Sequence, residues 1–361
     1  MGVMLDKTPR HNNAHDPHAQ LAFFAEMKAV LHHPATAWVI LFLSFVLTWA
    51  AWSLSNGFIQ QRVHERFQFE TDDIKSAIER RMAEYESVLR GGAGLFAAST
   101  EVTRAEWRAY AESLQLGRFY PGIQGFGVSA AIPPQEKAAH LAKVRQDGFL
   151  HYDIHPTGER AFYTSIVYLE PFNGRNLRAF GYDMYTEPVR RTAMARARDT
   201  GEPALSGKVR LVQETDRDVQ HGVLLYVPVY RPGMPIRTEV ERRDALFGFV
   251  YSPFRMNDLM RGILGSGHAH IELEIFDGDR PSEAALLYHQ DNLPAHFGRL
   301  ASENTQQRTL PIRIAGQTWT LFMHARPGYL STGEQSQPLV VAVGGVIIDL
   351  LLFFIIASIG R

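Results

Sequence analysis

Two apolar runs lie near the ends of this chain, and the sequence between them alternates on shorter periods. Ala35 to Ser55, ATAWVILFLSFVLTWAAWSLS, carries no charged side chain over 21 residues. A helix needs about 20 apolar residues to cross a bilayer core, so the run predicts a transmembrane helix. Trp38, Trp49 and Trp52 stand towards its ends, where indole rings favour the interface. The leader, residues 1–34, is polar and long, and no small-residue cleavage site follows the run, which is the pattern of an uncleaved anchor. Leu339 to Ile359 predicts a second span, interrupted by Asp349. A mid-membrane carboxylate usually faces other helices or water, and Gly344-Gly345 would allow close helix approach. Asp349 reads either as a helix-helix contact across a dimer or as a tolerated carboxyl.

Past the first span, Ile59, Val63, Phe67, Ile74, Ile78, Met82, Tyr85 and Leu89 recur mostly at steps of three, four or seven among charged residues. That spacing predicts an amphipathic stalk helix over 56–92, ending at Arg90-Gly91-Gly92. Its stripe packs either partly against a second protomer or wholly within its own chain. A further helix follows from Thr103 to Leu114, with Glu106 placed for a capping box. IQGFGVSAAI (123–132), Tyr152 to His155 and Phe162 to Leu169 read as strands, and Gln135 to Asp147 as a helix. The next stretch gives a strand ending at Tyr182-Asp183 and a helix from Glu187 to Thr200, with Thr186 as N-cap and Gly201 as the stop. Two β-runs come after it, Leu205 to Val212 and Gly222 to Tyr230. From Ala245 to Pro327 the pattern repeats as LFGFVYSPF, a helix over 256–264 and four more strands, with Pro232 to Arg243 as the connecting hinge.

Composition removes several function classes. A net charge of -1 gives no electrostatic reason to expect a nucleic-acid partner, and the absence of cysteine excludes disulfides, thiolate metal sites and a cysteine nucleophile. The leader histidines, His11, His15, His18, His32 and His33, show no helix-face pairing, and residues 21–31 read as a short amphipathic helix at a membrane surface. His268 with His270, Glu272 with Glu274 and Asp277 with Asp279 are alternate residues that share a strand face. They read as metal ligands or, more simply, as the polar face of a sheet. No catalytic constellation and no cofactor motif is present, so the chain itself does not read as an enzyme.

The run GYDMYTEPVRRTAMARARDTGEPALSGKVRLVQE, followed by HGVLLYVPVY, closely resembles the central segment of CHASE domains, the extracytoplasmic sensor modules of bacterial receptors and plant cytokinin receptors. The surrounding chain fits across about residues 85 to 325. The resemblance implies an α+β fold in which two transmembrane helices flank a long stalk helix and two tandem PAS-like subdomains of antiparallel sheet with helices. The membrane-distal half would occupy 93–232 and the proximal half 233–330. It also implies a place in the bacterial inner membrane, with the sensor in the periplasm and a small-molecule ligand in the distal half. The stalk stripe, with two spans per protomer, adds the expectation of a homodimer. Such receptors continue into a histidine kinase or diguanylate cyclase. No kinase H-box, nucleotide-binding glycine loop or GGDEF-like signature occurs in this sequence. The expectation is therefore either a sensor working through a separate cytoplasmic output partner or the sensor part of a longer kinase or cyclase.

In the plant receptors an acid early in the helix after the D-M motif bonds the adenine ring of the hormone. The gap-free register through YDMYTEPVRR puts Arg190 at that position. A guanidinium offers five donors and no acceptor, so it cannot take the acid's part and instead suits carboxylate or phosphate. The resemblance thus points to a small anion held by Arg190, with Lys208 and Arg191 adding positive potential and Ser206, Val212 and Tyr226 as wall. The competing reading puts Arg190 on the outer face of an arginine-rich helix, and Ser206, Val212 and Tyr226 in the packing. Asp183, Glu187 and Pro188 belong to the most specific part of the motif, and Asp183, like Glu170, reads as architectural.

Overall fold

The computed structural model describes residues 34–215, 218–265, 267–290 and 306–359. The leader histidines and the amphipathic segment expected at 21–31 lie outside the described residues. The chain forms two compact units, Met1–His64 with Leu330–Arg361, and Glu65–Tyr329.

The first unit holds the apolar part of helix α1 (Pro34–Ala98) and the C-terminal helix Thr332–Ile359, each with a stretch long and apolar enough to cross a membrane. Asp349 is buried between them, accepting a hydrogen bond from Thr48 Oγ1 at 2.8 Å. Gly345 makes room for this contact, since a Cβ there would fall 2.5 Å from Thr48 Cγ2. Of the two readings of Asp349, a contact across a dimer or a tolerated carboxyl, the structure shows neither directly: the carboxyl joins two helices of one chain.

In the second unit α1 does not stop at Gly91-Gly92 but continues to Ala98. The two glycines are points of close approach rather than a terminator. A Cβ at Gly92 would lie 2.7 Å from Phe126 Cζ and 3.2 Å from Val250 Cγ1, and one at Gly91 would lie 2.6 Å from Tyr110 Oη. Phe67, Ile74, Ile78, Met82, Tyr85 and Leu89 are all buried inside this unit. The stripe is consumed within the chain, so these positions do not supply the expected contact with a second protomer. Helix α2 (Arg104–Ser113) carries the predicted capping box between Thr103 and Glu106 and stacks Trp107 on Phe126 at 4.5 Å.

Five antiparallel strands form the larger sheet, β1 (Phe126–Ile132), β2 (Tyr163–Glu170), β3 (Ala204–Leu205), β4 (Gly222–Tyr230) and β5 (Leu246–Arg255), in the order β2-β1-β5-β4-β3. The run LFGFVYSPF, expected to open the second subdomain, is thus a central strand of the first. Its residues are buried on both faces, which is the pattern of any inner strand and does not say which sheet it joins. The segment Pro232 to Arg243 is accordingly no hinge between subdomains. It connects β4 to β5 within one sheet, and it leads into a short helix, Glu239–Ala245, that Arg243 ties to Asp199 with a 2.8 Å ion pair. The expected strand Tyr152 to His155 and the strand end at Tyr182-Asp183 reduce to single bridges, His155 to Tyr182 and Ser165 to Asp183.

After β5 come a helix, Met256–Leu264, and a second antiparallel sheet of β6 (Ile271–Asp277), β7 (Leu286–His289), β8 (Gln307–Ile314) and β9 (Gln317–Ala325), in the order β7-β6-β9-β8. The fold is α+β with two antiparallel sheets, and the change from the first sheet to the second falls after Arg255 rather than at residue 233.

Helix α3 (Lys137–Gln146) covers Ile132, Ile154 and Tyr163 with Leu141, and places His140 Nε2 at 3.0 Å from Tyr152 Oη. Burial holds the His140 imidazolium down to about pKa 4, with Lys143 adding to the effect. A folded value below the ordinary 6.5 means that the stability from neutral His140 is complete above about pH 6.5 and is lost as the pH falls towards 4. Thermal melts across that window should show a slope that His140→Asn flattens; an unchanged slope would rule His140 out as its source. Gly92→Val should cost about 1–3 kcal/mol in denaturant unfolding, the ordinary penalty for overpacking. A neutral result would mean that α1 does not press on the sheet at that turn.

Candidate functional site

The helix after the Asp-Met motif, α4 (Pro188–Thr200), is set in phase by its first residues. Glu187, and not Thr186, is the N-cap, and its carboxylate accepts from the backbone N-H of Val189 at 3.1 Å and of Arg190 at 2.8 Å. Pro188 fills the first helical position, where a missing N-H costs nothing. Thr186 instead closes the preceding turn by donating its hydroxyl to the Asp183 carbonyl at 2.6 Å. Asp183 is fully buried, and its Oδ1 accepts from Thr164 N at 2.9 Å, Thr164 Oγ1 at 3.0 Å and Tyr185 N at 3.2 Å. These three motif residues build the corner from which α4 departs. Gly201, at φ 78°, ends the helix.

With that phase, Arg190, Ala193, Met194 and Ala197 face inward and Arg191 faces solvent. Arg190 is 2% exposed. Its Nη2 donates to the Arg210 carbonyl at 3.0 Å, and its guanidinium carbon lies 5.1 Å from the centre of the Tyr182 ring. Nε is buried without an acceptor, and among the described residues no carboxylate pairs with this cation. A buried charge is normally paired, because desolvating it alone costs several kcal/mol.

The sheet beneath α4 contributes Tyr226 from β4 and Tyr251 from β5, registered partners whose rings stack at 6.2 Å. Gly127 on β1 lies opposite Tyr251, where a Cβ would sit 2.7 Å from the tyrosine ring. Ser129, two residues on and opposite Phe249, is on the same face. Among the described residues Tyr226 Oη reaches only Met184 Sδ, at 3.6 Å, while Tyr251 Oη and Ser129 Oγ are buried with no hydrogen-bond partner. Burial pushes both phenols up from their ordinary value, and Arg190 acts on each in the opposite direction. Both are therefore neutral hydroxyls able to donate. The face gathers one guanidinium and three hydroxyls with few internal partners, surrounded by Ala131, Leu224, Phe249 and Met194.

The other expected residues divide. Val212 packs against this cluster. Ser206 is fully buried, but its hydroxyl bridges Leu224 N and the Gly207 carbonyl, a structural task. Of the expected β-run Leu205 to Val212 only Leu205, in β3, is strand, with one further bridge from Val209 to Gly222. Lys208 leaves the cluster altogether. Its Nζ donates to the Ala284 carbonyl at 2.8 Å and its backbone N-H to Asp277 Oδ2 at 2.7 Å, both in the second sheet's layer. Of the paired residues in that layer, Asp277 also accepts from Gln317 at 2.7 Å, and His268 lies 3.6 Å from Asp73. Glu272 and Glu274 share a face with their register partners His324 and His289. No group of three or more such side chains among the described residues is placed to hold a metal ion.

Ser129, Tyr182, Met184 and Tyr251 were not singled out from the sequence. The small residues alternating at 127, 129 and 131 were the available signal, while Tyr251 was hidden by the assignment of its strand to the other sheet. If the Arg190 charge lacks a partner in the fold, Arg190→Met should leave unfolding free energy without ligand unchanged or raise it by about 1 kcal/mol or more. Destabilisation beyond about 2 kcal/mol in urea unfolding would mean that its charge is compensated within the fold.

A family model described as CHASE domain matches residues 100–288. The chain is 23% identical over 208 residues to "Hybrid signal transduction histidine kinase A" of Dictyostelium discoideum, covering 53% of this chain and 10% of that protein. It is 30% identical over 109 residues to "Probable histidine kinase 6" of Oryza sativa subsp. japonica, covering 29% of this chain and 11% of the kinase. The chain thus spans about a tenth of the length of these curated relatives. Among solved structures, the extracellular ligand binding receptor from Desulfohalobium retbaense DSM5692 aligns with a TM-score of 0.41 at 12% identity, over 70% of this chain and 40% of that one.

Proposed function

The chain belongs to the CHASE-domain family, and from that premise we propose that it is a transmembrane receptor module binding a small anion between α4 and the larger sheet. The observation that carries the reading is the buried, carboxylate-free guanidinium of Arg190. An anion there would receive two charge-assisted hydrogen bonds in a region of low dielectric, where such bonds are strongest. In this reading residues 56–338 lie outside the bacterial inner membrane, and the two apolar helices carry the signal to a cytoplasmic output. That output is a histidine kinase or diguanylate cyclase, on the same polypeptide or on a partner, and the receptor works as a homodimer.

The same residues suggest how occupancy is passed on. Arg190 holds the Arg210 carbonyl, and the segment leading to Arg210 is fastened to the second sheet. Arg196 Nη2 donates to the Leu205 carbonyl at 2.7 Å, Leu205 N donates to the Ala315 carbonyl at 3.0 Å, and Lys208 holds Asp277 and Ala284. A ligand anion that takes Arg190 away from Arg210 would release one end of this strap. It shifts the balance of states only by its differential affinity for them.

The test uses the full chain in lipid nanodiscs, with calorimetry against acetate, succinate, phosphate, adenine and amino acids. Saturation at about 100 times the dissociation constant should raise stability by about 2.7 kcal/mol. An anion should bind, and Arg190→Met should abolish it while the protein still melts cooperatively. Tight binding of neutral adenine, or anion binding indifferent to Arg190→Met, would overturn the proposal.

A further inference from the structure

We infer that the anion is a short hydroxycarboxylate, its carboxylate on Arg190 and its hydroxyl between Tyr251 and Ser129. This rests on the reading of the Arg190 site given above and names the ligand class for it.

The argument is one of matching groups. On the α4 side the site offers a fixed cation whose Nε lacks an acceptor. On the sheet side it offers Tyr251 Oη and Ser129 Oγ, both buried without a partner, on adjacent strands and one face. A hydroxyl both donates and accepts, as does each of these two groups, so one hydroxyl on the ligand can bond with both. A plain carboxylate leaves the sheet hydroxyls unanswered, and each buried polar group left so costs about 1–3 kcal/mol.

The site also argues against an amino acid. An ammonium group placed on the sheet side would stand near the Arg190 cation with no acid to balance it. Of the two acids at the corner, Glu187 is committed to the first turn of α4, while Asp183 gives Oδ1 to Thr164 and Tyr185 and has Arg160 3.7 Å from Oδ2. The core packed around these groups, Ala131, Leu224, Phe249 and Met194, is apolar and favours a short carbon skeleton over further charge. Tyr226, with its hydroxyl on a thioether, stacks beside Tyr251.

The experiment compares matched pairs on the full chain in nanodiscs: glycolate with acetate, lactate with propionate and alanine, and malate with succinate. In the unaltered protein each hydroxy acid should bind about tenfold or more tightly than its deoxy partner, the value of a well-made buried hydrogen bond. Alanine should bind more weakly than lactate. Tyr251→Phe, which keeps the ring and removes only the hydroxyl, should shrink that preference to about threefold or less. Ser129→Ala should act in the same direction. If acetate, propionate or succinate binds through Arg190 but the hydroxyl brings no preference, the inference fails and the anion receptor stands. Alanine surpassing lactate, or a preference untouched by both substitutions, likewise sinks it. If no carboxylate binds, or binding ignores Arg190→Met, the reading beneath it fails as well. The unaltered protein's ratios decide the matter even if a variant does not fold.

Discussion

The larger sheet is buried on both faces, and this constraint governs the rest of the second unit. On one side α1 crosses close to the strands, which is feasible only because Gly92 presents no side chain to Phe126 and Val250. Val250 and Phe254 answer that helix, while the alternate residues Phe249 and Tyr251 turn to the other side. That other face has to be closed by chain that is neither sheet nor stalk. Helix α4, the corner before it and the segment after it do this, so whatever polar groups they bring are taken out of water.

Some of the buried charge is neutralised on the spot, which sets off the contrast with Arg190. Arg255, at the end of β5, pairs with Glu214 at 2.7 Å, Asp218 at 2.9 Å and Asp258 at 2.6 Å, and so pins the loop that follows Arg210 to the start of the next helix. Asp183 Oδ1 accepts from three donors, and Oδ2 has Arg160 at 3.7 Å. These arrangements hold chain in place. Arg190 has a backbone carbonyl, an aromatic ring and no acid. Arg104 and Arg196 also bury an Nε without an acceptor, but they are only partly buried, whereas Arg190 is 2% exposed, where stability alone would favour a hydrophobic residue.

Much of this was legible in the sequence. The two spans, the stalk stripe, the capping box at Thr103 and the existence of α4 follow from periodicity and turn chemistry, which are local signals. Strand partnership is not local. LFGFVYSPF looks the same in either sheet, and its misplacement moved the subdomain boundary and concealed Tyr251. Glycines at 91 and 92 read as a helix end because glycine weakens helices in isolation, yet here tertiary packing needs their lack of a side chain. The inward direction of Arg190 could not be settled from an arginine-rich helix, since the phase depends on whether Thr186 or Glu187 is the cap, a difference of one residue. Lys208 was grouped with Arg190 by closeness in the motif, whereas Asp277 and the Ala284 carbonyl draw it to the second sheet.

The energetics of the strap limit what the ligand can be. Exchanging one neutral hydrogen bond is worth about 1 kcal/mol, which moves a two-state equilibrium only about fivefold. A charge-assisted bond is worth about 1.5–3 kcal/mol, enough for roughly tenfold to more than a hundredfold. A neutral ligand that merely displaced the Arg210 carbonyl from Arg190 would therefore be a weak signal. In the proposed reading an anion would gain the charge-assisted bonds, relieve the cation and leave the carbonyl to move with the segment that reaches Asp277, Ala284 and Ala315. Affinity and switching then draw on the same guanidinium, so a variant that binds without Arg190 should also bind without moving that segment.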